Sequence, residues 1–163
     1  MELLKRIQEL LRTKDVTAEI DKDGELTFLA RTGPVSVRMV ISVTDSAVIV
    51  RAYIPLFAPV HRRKAMFECL SLANWQLRFA RFEMDAEDGE LRCRADIPLY
   101  DGVPTDEQLT RLLYCVWNIT ERYAPALVEV MTGQAEPAVA IARVEEPEIE
   151  PIRGNKVTDL TVN

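Results

Sequence analysis

Phe82-Glu83-Met84-Asp85-Ala86-Glu87-Asp88-Gly89-Glu90-Leu91-Arg92-Cys93-Arg94-Ala95-Asp96-Ile97-Pro98-Leu99 alternates apolar and polar residues on both sides of Asp88-Gly89. Alternation with a period of two is the pattern of a half-buried strand. Asp-Gly supplies the positive φ angles that a tight hairpin turn needs. A second stretch, Ala18-Glu19-Ile20-Asp21-Lys22-Asp23-Gly24-Glu25-Leu26-Thr27-Phe28, repeats the design more weakly. Each hairpin follows a segment of helical periodicity, so the chain reads as an α+β sheet domain.

Outward from these hairpins, Leu3, Leu4, Ile7, Leu10 and Leu11 predict a helix over 2–13. Val35–Val43 and Ala47–Phe57 predict two strands. Their apolar residues occupy both faces: Val40 breaks the polar face of the first, and Ile49, Tyr53 and Phe57 that of the second. Strands of this kind are expected to be covered on both sides. A helix follows Pro59, over about 60–77. Met66, Leu70, Ala73 and Leu77 form its core stripe, with Leu72 and Trp75 on roughly the opposite side. Thr105-Asp106-Glu107-Gln108 is a capping box that opens a third helix, with Pro125 expected to kink or split it and Gly133 to end it. Pro137–Val144 predicts a short extra helix. The expected architecture is a twisted, mainly antiparallel sheet of five or six strands flanked by three main helices. It occupies residues 1–144, and the acidic, Pro-containing segment 145–163 forms a C-terminal tail.

The chain has 163 residues, 48% of them hydrophobic, and a net charge of −6. A domain of this size buries about 70% of the surface its unfolded chain exposes and needs no staples. The negative balance argues against nucleic acid and anionic membranes as partners. No apolar run approaches the roughly 20 residues of a membrane span. The N-terminus, Met1-Glu2-Leu3-Leu4-Lys5-Arg6-Ile7, is too charged and amphipathic for a signal peptide, which points to the cytoplasm. Cys69, Cys93 and Cys115 each lie in an apolar pattern and read as small buried hydrophobes in a reducing compartment.

Candidate chemistry is sparse. His61 is the only histidine and no pattern supplies a partner for it, so it reads as a solvated helix-end residue. Arg62, Arg63 and Lys64 beside it form a candidate anion contact at a helix start, although consecutive side chains point in different directions. Asp21, Asp23 and Glu25, and Asp85, Glu87, Asp88 and Glu90, lack the spacing of a calcium loop and read as turn residues. Neither a zinc spacing, a phosphate loop nor a nucleophile elbow occurs, so neither a cofactor nor a metal is expected. Asn74 reads as a satisfied structural polar group.

From the second helix onward the chain resembles the YbjN-domain family, which has the fold of type III secretion chaperones. The resemblance is carried by Asn74, by Phe82, by the run Asp85-Ala86-Glu87-Asp88-Gly89-Glu90-Leu91-Arg92 and by Ile97-Pro98-Leu99. It continues through Thr105 with Gln108-Leu109, Gly133, Glu136-Pro137 and Ala140-Ile141-Ala142-Arg143. Ala80 stands where the resemblance leads one to expect Gly before the strand. The resemblance implies a compact, often dimeric domain that binds protein segments or acts in bacterial regulation, with no active site to transfer.

The leading expectation is therefore a non-enzymatic, chaperone-like homodimer that binds a peptide or protein partner. Its partner and dimer surface is expected at Leu72, Trp75, Val40, Ile49 and Tyr53, apolar groups that one copy has trouble covering. Two alternatives stand beside it. One is an enzyme with a site assembled from His61, Arg62, Asp85 and Cys93. The other is a regulatory domain acting through its acidic tail.

Overall fold

The computed structural model describes residues 2–100 and 102–146. Helix α1 (Glu2–Arg12) leads into strands β1 (Glu19–Ile20), β2 (Leu26–Thr32), β3 (Val35–Val43) and β4 (Ala47–Phe57). One 3-10 turn (Val60–Arg62) then opens α2 (Arg63–Gln76), followed by β5 (Arg81–Met84), β6 (Glu90–Pro98), α3 (Asp106–Thr132) and α4 (Pro137–Glu145). The strands form one sheet in the order β1-β2-β3-β4-β6-β5, and every neighbouring pair is antiparallel. The fold is α+β, as the alternation of helical and two-residue periodicities implies.

Both Asp-Gly turns form, but neither is the two-residue turn expected. Gly24 and Gly89 take positive φ, at 78° and 85°, while Asp23 and Asp88 do not. The second loop is closed by Asp85 N–H donating to Glu90 O at 2.9 Å and Gly89 N–H donating to Asp85 O at 2.9 Å. The aspartates widen it, because Asp85 and Asp88 each accept from the backbone N–H two residues on, at 2.7 and 2.8 Å. Gly89 also lies against the β4–α2 connection. Its carbonyl accepts from Ala58 N–H at 2.8 Å, and a Cβ there would sit 2.3 Å from Ala58 O. The turn before β5 needs no glycine: Ala80 is buried and its φ is negative.

α3 lies across one face of the sheet, against β2, β4 and β6, while α1 packs on β3. α2 sits beside the edge strand β5, and α4 packs on α2 and α3. The core between them contains Leu26, Met39, Ile41, Ile54, Leu91, Leu109, Val116 and Leu127. α3 starts at the expected capping box: Thr105 Oγ1 accepts from Gln108 N–H at 3.2 Å, and Gln108 Oε1 accepts from Thr105 N–H at 2.8 Å. It runs unbroken through Pro125 to Gly133, correcting the expected split. Pro125 and Glu121, whose carbonyl loses its donor, are both on the solvent side, where water can take that donor's place. Thr120 is fully buried and donates its hydroxyl to Val116 O at 2.6 Å.

The expected boundary at 144/145 falls in the last turn of α4, where Glu145 still accepts from the Tyr123 hydroxyl at 2.7 Å. Residues 147–163 of the expected tail lie outside the described residues.

Candidate functional site

Two surfaces hold the residues singled out by their pattern. The first is the outer side of α2. Met66, Cys69, Leu70 and Ala73 turn inward, so at about 100° per residue Trp75 points away from the core and Phe67 and Leu72 flank it. Trp75 is 87% exposed and Leu72 37%. Phe67, Leu70, Trp75, Phe82 and Met84 line an open groove of about 520 Å³ between α2 and β5, with Ser71 and Asn74 as its polar members. Asn74 fixes this arrangement. Its Nδ2 donates to Phe82 O at 3.0 Å and its Oδ1 accepts from Phe82 N–H at 2.8 Å. The side chain thus takes the place of a neighbouring strand on the outer edge of β5.

The second surface is the face of the sheet turned away from the core. Register puts Leu29, Arg38, Tyr53, Arg92 and Glu83 in one cross-strand row. Glu19, Thr27, Val40, Arg51, Arg94 and Arg81 form the next. Ser42, Ile49 and Asp96 follow, and Arg31 pairs with Ser36 on the other flank.

Here the exposed apolar side chain is Leu29, 77% in solvent, and not Val40 or Ile49. Val40 is 1% exposed and Ile49 9%, although neither belongs to the main core. Across the strands Val40 lies between Thr27 and Arg51, and Ile49 between Ser42 and Asp96. Arg51 spans Val40's neighbourhood, its Nη1 donating to Ser42 Oγ at 2.6 Å and standing 3.4 Å from Glu25 Oε1; Ser42 in turn donates to Glu25. The Arg38 guanidinium stacks over the Tyr53 ring at 4.6 Å, leaving Tyr53 half-buried. Glu83 is shared by Arg92 at 2.7 Å and Arg81 at 3.0 Å. Burial would raise its carboxyl pKa, but the bonds to Arg92 and Arg81 outweigh that and hold it below the ordinary value. Arg81 and Arg94 also approach Asp96, at 3.2 and 3.3 Å. The Arg94 atom that makes this approach is its buried Nε, with Asp96 Oδ1 as its ion-pair partner.

Six arginines (Arg31, Arg38, Arg51, Arg81, Arg92 and Arg94) therefore share this face with five carboxylates (Glu19, Glu25, Glu83, Glu90 and Asp96), a near balance of charge. The sequence pattern contained the signal, arginines at alternate positions such as Arg92 and Arg94. It was obscured by the acidic balance of the whole chain.

The basic cluster at the start of α2 is used structurally. Arg62 donates from Nε to Val130 O at 3.0 Å, and its Nη2 bonds the same carbonyl near the end of α3. Arg63 donates to Ala58 O at 3.1 Å and to Ala86 O at 2.8 Å. Lys64 is exposed. With both guanidinium groups committed to carbonyls, an anion contact is left mainly to the Lys64 ammonium. The four enzyme candidates are differently employed. His61 is exposed, Arg62 clamps α3, Asp85 closes the hairpin turn, and Cys93 is buried in the core. Burial pushes the Cys93 thiol up to about 12, and burial with the nearby Glu68 charge does the same to Cys69. Neither is a thiolate nucleophile at neutral pH. Among the described residues no group of three His, Cys, Asp or Glu side chains can hold a metal ion, and no helix is long and apolar enough to cross a membrane.

The YbjN family model, described as "Putative bacterial sensory transduction regulator", matches residues 3–129. A crystal structure of YbjN from E. coli, described as "a putative transcription regulator", superposes with a TM-score of 0.59 at 15% identity, covering 80% of this chain and 93% of that one. A chain of the heterodimeric ExoU-SpcU complex from the type III secretion system of Pseudomonas aeruginosa gives 0.44 at 17% identity, covering 76% and 96%. No curated protein matches the chain.

Proposed function

The chain belongs to the YbjN family, and on that premise we propose that it is a non-enzymatic protein-binding module, a chaperone-like homodimer that pairs through α2 and holds a peptide or protein partner in bacterial regulation. One observation carries the reading: Trp75, the largest side chain of α2, stands 87% in solvent on the side of the helix opposite Met66, Cys69, Leu70 and Ala73. An exposed indole flanked by Phe67 and Leu72 is costly unless something covers it. A two-fold axis across α2 would cover each copy's Trp75 with the same patch of its partner. The groove beside Trp75 would be continuous with that contact.

Asn74 bears on how a partner is held. Strand addition along β5 needs free backbone groups on its outer edge, and Asn74 already satisfies those of Phe82. Side-chain contacts are the mode this edge favours. The reading fits a reducing cytoplasm, where Cys69, Cys93 and Cys115 remain free thiols.

Trp75 fluorescence tests the pairing. In a Trp117→Phe variant Trp75 is the sole indole. Its emission should lie to the blue at high protein concentration and move to the red on dilution, as the pair separates. A red, concentration-independent emission at all accessible concentrations would overturn the reading.

A further inference from the structure

α4 lies along the seam between α2 and α3, packed on both. It is antiparallel to α3: Arg143 meets Glu129 at 2.8 Å, and the Tyr123 hydroxyl donates to Glu145 at 2.7 Å. α2 also runs against α3, since Arg62 at its start bonds Val130 O, and its far end leads through Phe79 into β5. The last turn of α4 is pinned by Arg122, whose Nε donates to Val144 O at 2.8 Å. Glu146 leaves the helix at φ −54° and ψ 127°, the extended geometry of a residue that precedes proline. α4 thus delivers the chain toward the N-terminal half of α3. There, past the end of α4, is a depression of about 330 Å³ lined by Phe79, Ile97, Leu112 and Cys115, with Gln108 and Arg111 as polar members. Phe79 stands 80% in solvent at its wall, and a ring so placed is costly unless something covers it.

We infer that segment 147–152 of the same chain fills this depression, with Ile149 and Ile152 as its anchors. The segment reads Pro147-Glu148-Ile149-Glu150-Pro151-Ile152. Its prolines favour the polyproline conformation, whose three residues per turn set Ile149 and Ile152 on one side. Counted from Glu145 at about 3.1 Å per residue, Ile149 is reached after about 12 Å and Ile152 after about 22 Å. Along α3, at about 1.5 Å per residue, Cys115 is about 12 Å from Tyr123 and Gln108 about 22 Å. The two spans coincide, so both isoleucines come level with the depression. Glu148 and Glu150 turn away from it, toward water. A segment tethered so closely has a high effective concentration at its own site. It closes the depression to an outside apolar segment until Ile149 and Ile152 let go. The inference goes beyond the pairing of α2 and does not rest on it.

Labelling of the whole chain with N-ethylmaleimide, read by peptide mass mapping, tests it. Cys69 and Cys93 are buried in the core, whereas Cys115 is half-buried at the wall of the depression, so Cys115 is the reporter. The double variant Ile149→Glu/Ile152→Glu should keep the circular dichroism spectrum and label at Cys115 about tenfold faster than wild type, because the rate follows the open fraction. Glu148→Gln/Glu150→Gln should label at the wild-type rate. The wild-type rate should not change with protein concentration, since segment and depression belong to one chain. Trp75→Glu should leave Cys115 as protected as in wild type, so that the two readings fail separately. Equal rates in wild type and the isoleucine variant, or a glutamine variant as reactive as the isoleucine one, would overturn the inference. So would protection that fades on dilution or in Trp75→Glu, the mark of a second copy as the occupant.

Discussion

Asn74 and Phe82 are joined by two hydrogen bonds that use both ends of one amide: Nδ2 donates to Phe82 O at 3.0 Å, and Oδ1 accepts from Phe82 N–H at 2.8 Å. The pair locks α2 onto the sheet edge and so fixes the direction in which Trp75 points. Asn74→Asp keeps the acceptor but sets a carboxylate against a carbonyl oxygen. Asn74→Ala leaves both backbone groups of Phe82 without their partner. Each substitution should lower stability by about 2 kcal/mol in urea unfolding. An unchanged midpoint in both would mean that the amide is not the anchor of α2.

The two turn glycines make a matched pair for a second test. Gly24 and Gly89 have similar positive φ, but only Gly89 faces backbone, with a Cβ landing 2.3 Å from Ala58 O. Gly24→Ala should cost about 1 kcal/mol, the conformational penalty alone. Gly89→Ala should cost at least 1 kcal/mol more, because the hairpin must also draw away from Ala58 and give up the hydrogen bond from its N–H. Equal losses would show that the contact between hairpin and α2 connection yields easily.

The capping box offers a local test. Thr105→Ala removes the acceptor of Gln108 N–H and should destabilise by about 1 kcal/mol, while Thr105→Ser should be nearly neutral. Thermal melts followed by circular dichroism would separate the two. If alanine and serine behave alike, the cap contributes nothing.

Glu83 makes stability depend on pH. Its burial penalty is outweighed by Arg92 and Arg81, so its pKa in the folded protein is below the ordinary 4.5. A carboxylate with a depressed folded-state pKa contributes stability that is present above its unfolded pKa and lost as pH falls through the folded one. Wild type should therefore exceed Glu83→Gln in stability at neutral pH, and the difference should shrink as pH falls below 4.5. A difference that stays constant through the acid range would mean that the ion pairs with Arg92 and Arg81 are not what the substitution removes.

Much of this arrangement was legible in the sequence because it is local. The capping box at Thr105 and Gln108 needs four adjacent residues, and α3 begins where they place it. The strand alternation of Leu91, Cys93 and Ala95 gave their burial directly. What was hidden depends on register between distant segments. Val40 looked like surplus apolar surface until pairing put Arg51 opposite it, and Ile49 until it fell between Ser42 and Asp96. The same registers gather six arginines from five strands, which no single stretch displays. The turns are wider than Asp-Gly alone implies because the aspartate side chains, and not only the backbone, set the loop width. Trp75 remained where helical periodicity placed it, outside.

Sedimentation velocity on the wild-type protein and on Trp75→Glu, with circular dichroism to verify folding, tests the pairing through α2 most directly. The account predicts a wild type of twice the chain mass and a folded variant of one chain mass. A wild type that sediments as a single chain at micromolar concentration, or a Trp75→Glu protein that keeps the doubled mass, would contradict it.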